Sequence, residues 1–170
     1  MLTLVIGGAS SGKSRFAEDL VQRLPGRRVY LATMEKEGAE NRKRIAFHRD
    51  MRKDKGFITV ECPVNISSVS LPDSSSVLLE DLPNLVANEM FSPQGRGTDT
   101  LLSDLTDLFS LCAHLTIVTG ELFSGGAEYE GDTLLYLQKL AALNNALARE
   151  ADLVVEVVAS LPNVLKGKIP

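Results

Sequence analysis

A chain of 170 residues with 44% hydrophobic and 24% charged side chains has the size and composition of one ordinary globular domain with a full core. The formal net charge of -4 argues against general nucleic-acid binding. With no basic leader and no apolar run near the ~18 residues of a membrane span, a cytoplasmic location is expected. Cys62 and Cys112 stand far apart without a C-x-x-C partner, so they read as core-filling side chains and not as a disulfide framework or zinc site.

The apolar run Leu2 to Ile6 predicts a buried strand, and Gly7-Gly8-Ala9-Ser10-Ser11-Gly12-Lys13-Ser14 follows it in the phosphate-binding pattern G-x-x-x-x-G-K-[ST]. A helix from Ser14 to Leu24 leaves the loop, which supplies the second flank that the pattern requires. The glycines let backbone N–H groups turn toward one anion, and the helix N-terminus adds its partial positive charge. Lys13 can reach the β- and γ-phosphates, and the Ser14 hydroxyl can ligate Mg²⁺.

Pro25-Gly26 then breaks the chain, and Arg28 to Thr33 reads as a second strand. A highly charged, mostly helical segment is expected from Glu35 to Lys55, followed by a short alternating strand at Phe57 to Glu61. Serine-rich Ser67 to Ser76 reads as a surface connection. Ser76 to Asp81 is another buried strand, ending in two acids. Either acid could face the metal, since neighbouring strand residues point to opposite faces, and Asp81 could equally cap the helix that begins at Leu82.

That helix is expected to run to Phe91 with Leu82, Leu85, Val86 and Met90 on one face, and the next from Thr98 to Leu111 with Leu101, Leu105, Leu108 and Leu111 buried. A strand at Leu115 to Thr119, a glycine-rich loop through Ser124-Gly125-Gly126, a helix from about Asp132 to Glu150 and a strand at Leu153 to Val158 complete the pattern. The end at Lys166-Gly167-Lys168 reads as a flexible basic tail. Apolar strands alternating with helices predict a single α/β domain over 1–170, a phosphate-loop NTPase-like fold whose mostly parallel sheet carries helices on both faces.

Between Lys36 and Lys55, eight basic residues stand against four acidic ones, a local excess of positive charge in an acidic chain. His48 lies inside this segment with Arg44 and Arg52 four residues away on either side, on its own face if the segment is helical. Fixed cations disfavour protonation, so the imidazole is expected to be neutral, which is its nucleophilic form. The same arginines could hold a triphosphate and stabilise charge at phosphorus during attack. A merely solvated basic helix remains the plainer reading of charge spacing alone.

Gly7 to Arg15, Tyr30-Leu31-Ala32-Thr33, Arg44-Ile45-Ala46-Phe47-His48-Arg49-Asp50-Met51-Arg52 and Val77-Leu78-Leu79-Glu80 occur in the order of one family pattern: G-G-x-x-S-G-K-S-R, Y-[IL]-A-T, R-I-x-x-H-[KR]-x-x-R and [IL]-L-x-[ED]. The chain resembles adenosylcobinamide kinase / adenosylcobinamide-phosphate guanylyltransferase, a bifunctional family of cobalamin biosynthesis. The resemblance implies phosphorylation of adenosylcobinamide by ATP or GTP, then transfer of GMP from GTP through a guanylyl-histidine at His48. It further implies triphosphate binding by Gly7 to Ser14, nucleotide contacts from Leu31, Ala32, Thr33, Glu61 and Glu80, and guanylyl phosphates held by Arg49, Asp50, Met51 and Arg52. Lys13 would act with His48 in catalysis, Ser14 and Glu80 would hold Mg²⁺, and the assembly would be a homotrimer. Glu61 reads equally well as a surface acid on an edge strand.

Thr119-Gly120-Glu121 departs from the T-N-E of the pattern, and Ser124 to Tyr129 lacks its proline and the arginine-rich segment beyond. Two other readings therefore stand beside the first: a relative acting on another small substrate, and a nucleotide-binding regulatory protein without turnover. His114 has no acid or second histidine near it in sequence and reads as structural.

Overall fold

In the computed structural model, which describes residues 1–35, 45–46, 50, 52–123, 126 and 128–170, period-two alternation divides the strand side chains between two cores. Leu4, Leu31, Val77, Leu79 and Ile117 enter one core, while their neighbours Val5, Tyr30, Leu78 and Val118 enter the other. Such strands must be covered on both faces, and the helices supply the cover.

The strands are β1 (Leu2–Gly7), β2 (Arg28–Ala32), β3 (Ile58–Glu61), β4 (Ser76–Glu80), β5 (His114–Gly120), β6 (Leu153–Val158) and β7 (Leu161–Lys166). They form one sheet in the order β3-β2-β4-β5-β1-β6-β7. Neighbours run parallel from β3 to β6, and only β7 is antiparallel. The chain thus forms a single α/β domain with a mostly parallel sheet.

Helix α1 (Lys13–Arg23) covers one face through Ala17, Leu20 and Val21. Helices α2 (Leu82–Phe91), α3 (Leu101–Ser110) and α4 (Gly131–Glu150) cover the other. In α3, Leu101, Leu105 and Leu108 are buried as their spacing predicts, but Leu111 is 56% exposed. The helix stops at Ser110, so Leu111 falls at its C-cap and off the buried stripe.

The C-terminal reading also changes. Residues 161–166 form β7 against β6, and the Lys166 ammonium donates to the Ala148 and Arg149 carbonyls at 3.3 and 2.7 Å, so Lys166 is not part of a loose tail. Pro162 obscured this strand in the sequence, but a proline is tolerated on an edge, where one side of the strand lacks a ladder partner.

Helix α2 holds the loops at the carboxyl ends of β2 and β3. The Asn88 amide donates to the Thr33 and Pro63 carbonyls at 2.7 and 2.9 Å. Beside it, the buried Glu89 carboxylate accepts from the backbone N–H of Asn65 at 2.6 Å and of Arg96 at 2.7 Å. An acid on the buried stripe of a helix is tolerable because both oxygens are satisfied.

Candidate active site

The helix leaving the phosphate loop starts without a side-chain cap: Gly12, at φ 90°, occupies the cap position and offers none. The first N–H groups of α1 are therefore left for something else, and a helix N-terminus in that state is an anion seat. They open onto a cavity of about 660 Å³. Gly7 and Ala9 to Arg15 line it on one side, and the ends of β2, β4 and β5 on the other.

The Lys13 ammonium folds back over the loop and donates to the Gly8 carbonyl at 3.3 Å, a long bond that a phosphate could readily replace. The Ser14 hydroxyl donates to Glu80 Oε1 at 2.5 Å. The two acids after β4 divide their roles. Asp81 is the N-cap of α2, its Oδ1 accepting from the Asn84 N–H at 2.9 Å, whereas Glu80 shares a strand face with Leu78 and turns toward α1. Thr33 braces this corner, with its hydroxyl donating to the Asp81 carbonyl at 2.9 Å and accepting from the Asp81 N–H at 2.7 Å.

Burial pushes the Glu80 carboxyl up to about 8; Asp81 adds to the effect, while the Ser14 bond and the Lys13 charge oppose it. Its Oε2 is sealed from solvent and has no hydrogen-bond partner. A hydroxyl and a carboxylate converging in this way are hard oxygen donors of the kind Mg²⁺ takes, and the unpartnered oxygen gives the pair a reason to accept one. These residues fit the cation.

Arg52 supplies the opposite charge. Its guanidinium carbon stacks 3.4 Å over the Tyr30 ring centroid, the residue is 5% exposed, and Nε and one terminal nitrogen find no partner. A buried cation with open donors beside an anion seat is strongly unfavourable until an anion arrives. Burial, with Glu80 close by, drives the Tyr30 phenol far above its usual range, so the ring supporting Arg52 stays neutral.

The chain segment around Arg52 is pinned to α1. The Lys55 ammonium meets the buried Glu18 carboxylate at 2.6 Å and Asp19 at 3.4 Å, and Arg28 donates to the Lys55 carbonyl at 3.3 Å. Burial works against the Lys55 charge, but Glu18 outweighs it and holds the ammonium above its ordinary range.

The residues singled out in the sequence fare differently. Gly7, Ala9, Ser10, Ser11, Gly12, Lys13, Ser14, Ala32, Arg52 and Glu80 come together around the cavity, and Gly8 contributes its carbonyl. Leu31 is fully buried in the core on the far face of the sheet, and Thr33 is buried as a brace. Glu61 is exposed on the edge strand β3, and Asp50 is exposed. His48, Arg49 and Met51, like Arg44, lie outside the described residues. Tyr30 was missed, although strand alternation could have found it: Tyr30 and Ala32 share a face of β2, and Leu31 takes the other. Met34, Ile45, Pro83 and Leu122 give the cavity an apolar wall that no motif announced.

The family described as cobinamide kinase / cobinamide phosphate guanyltransferase matches residues 3–165. The bifunctional adenosylcobalamin biosynthesis protein CobP of Pseudomonas aeruginosa is 30% identical over 99% of this chain and 99% of its own. The bifunctional adenosylcobalamin biosynthesis protein CobU of Salmonella typhimurium is 30% identical over 95% of this chain and 97% of its own. Among solved structures, the P4 protein from bacteriophage phi6 in complex with ADP aligns with 96% of this chain and 52% of its own at a TM-score of 0.44 and 11% identity, too slight a likeness to bear on function.

Proposed function

The chain belongs to the cobinamide kinase / cobinamide phosphate guanyltransferase family, and from that premise we propose how its residues divide the two reactions of this enzyme of cobalamin biosynthesis. In the kinase step the phosphate loop holds the triphosphate, with the α1 N–H groups and Lys13 set against the β- and γ-phosphates. The cobinamide hydroxyl oxygen bonds to the γ-phosphorus, the bridge to the β-phosphate breaks, and the hydroxyl proton is released. Ser14 and Glu80 hold Mg²⁺, which neutralises charge on the phosphates when bound.

In the guanylyl transfer the neutral His48 imidazole bonds to the α-phosphorus of GTP as pyrophosphate leaves. The phosphate of cobinamide phosphate then displaces the histidine and takes the GMP. Arg52, with Arg49, Asp50 and Met51 beside it in sequence, steadies the phosphates during these exchanges. The single observation that carries the assignment is the buried Arg52 guanidinium, with open donors, in the same cavity as the phosphate loop.

The test uses α-labelled GTP with Mg²⁺. The protein should acquire an acid-labile, base-stable label that is absent in His48→Ala; an equal label in that variant would refute the assignment. The resemblance also supports a homotrimer, and the exposed apolar Val158, Leu161 and Leu165 on the β6–β7 edge are suited to contact between copies. Light scattering giving a monomer mass would remove that part. No helix among the described residues is long and apolar enough to cross a membrane.

A further inference from the structure

The β6–β7 turn touches the phosphate loop from the side away from the cavity. In the sheet order, β6 and β7 lie on one side of β1, while the other strands lining the cavity, β2, β4 and β5, lie on the opposite side. The backbone N–H of Ser160 donates to the Ser11 carbonyl at 2.7 Å. A Cβ on Gly12 would meet Ser160 Oγ at 2.6 Å and its Cα at 3.1 Å, and one on Gly7 would meet the Val157 carbonyl at 2.6 Å. The hairpin backbone thus requires a glycine at 7, while Gly12, at φ 90°, lies close against Ser160.

We propose that Ser160 is a positioning residue for triphosphate binding: its N–H fixes the Ser11–Gly12 peptide so that the Gly12 N–H faces the phosphates. The reason is peptide planarity. In a trans peptide the carbonyl of Ser11 and the N–H of Gly12 point in opposite directions, so anchoring the carbonyl on the hairpin side aims the N–H away from the hairpin. The turn is shaped for the task. Ala159 and Ser160 both adopt left-handed φ, 50° and 64°, between the paired Val158 and Leu161, which is the two-residue hairpin geometry that asparagine and glycine ordinarily fill. In that turn the second central N–H lies outside the ladder and is free to donate. Non-glycine residues keep such a conformation where surrounding contacts hold them in it, and the bond to Ser11 is one of those contacts.

The proposal rests on the loop being the triphosphate seat, so inorganic triphosphate, which brings no base or acceptor contacts, is the probe. Replacing the Ser160 amide by a backbone ester, through ligation of the short C-terminal segment, removes the donor and keeps the side chain. Its Kd should rise about tenfold, and the nucleotide KM of the kinase step should rise alike while kcat stays within about twofold. The paired replacement of Ala159→Asn with Ser160→Gly keeps the N–H and suits the turn, so its Kd should stay within about twofold. Leu153→Ala, at the far end of β6, should lower Tm without moving Kd.

An ester variant that binds triphosphate like the wild type overturns the proposal, as does Leu153→Ala weakening binding equally. A wild type that does not bind triphosphate at all overturns the role of the loop as well. Should the ester variant fail to fold, amide exchange in the wild type decides: the Ser160 N–H should be protected although it sits at a turn tip, and triphosphate should slow it further. Exchange at the free rate would end the proposal.

Discussion

The two sides of the phosphate loop are built from different parts. Toward β6 and β7 the contacts described close within the fold: the Ser160 N–H on the Ser11 carbonyl, Gly7 against the Val157 carbonyl and Gly12 against Ser160, its side chain and backbone both. Toward β2 and β4 they are side chains with open valences: Arg52 Nε, Glu80 Oε2 and a Lys13 ammonium on one long bond. A surface closed in this way fixes the position of the loop. Buried polar atoms without partners are costly, and those gathered at this cavity are the ones that the proposed nucleotide and cation would satisfy.

Three substitutions test that contrast. The largest effect belongs to Lys13→Ala, which removes the cation proposed to meet the β- and γ-phosphates: kinase turnover should fall by ~100-fold or more with Tm nearly unchanged, measured by steady-state assay beside circular dichroism melts. A loss of Tm in place of turnover would make the cavity side structural after all. Arg52→Lys keeps the charge but loses the planar stack on Tyr30 and the forked donors, so GTP should bind about tenfold more weakly by calorimetry. Unchanged affinity would mean that the open donors are not aimed at phosphate.

The third effect is smaller and depends on pH. A carboxyl whose folded value is about 8 against an ordinary 4.5 keeps its proton in the folded state after the unfolded chain has released it. The stability it contributes is full below the ordinary value and is lost as pH rises toward and through 8. Urea unfolding of the cation-free protein should therefore show declining stability over that window, and Glu80→Gln should flatten the decline. An identical slope in the variant would place the titrating group elsewhere.

How much of this was legible follows from how far apart the partners lie in the chain. The phosphate-loop pattern occupies consecutive residues from Gly7 to Ser14, so motif and flanks were enough to predict the strand, loop and helix found there. Glu80 was reachable because an acid ending an apolar strand is conspicuous, but choosing it over Asp81 needed the pleat, with Glu80 facing α1 and Asp81 capping α2. Leu31 was drawn into the site by its place in a motif, although alternation puts it on the wrong face. The hairpin behind the loop could not be read: Pro162 hid the strand, and no local pattern joins Ser160 to a carbonyl at residue 11.

The side-chain grip of Asn88 and Glu89 has a consequence for how this sequence can drift. Both residues hold their loops by main-chain atoms, the carbonyls of Thr33 and Pro63 and the N–H groups of Asn65 and Arg96. Every residue type carries those carbonyls, and all but proline carry the N–H, so these four anchor points do not themselves depend on which side chain stands there, although Thr33, whose hydroxyl braces Asp81, and Asn65, at φ 56° with its Oδ1 accepting from Ser67 and Arg96, carry further constraints of their own. Divergent relatives should avoid proline at 65 and 96, should change those two positions together because their side chains bond each other, and should change 88 and 89 only with the loops they hold.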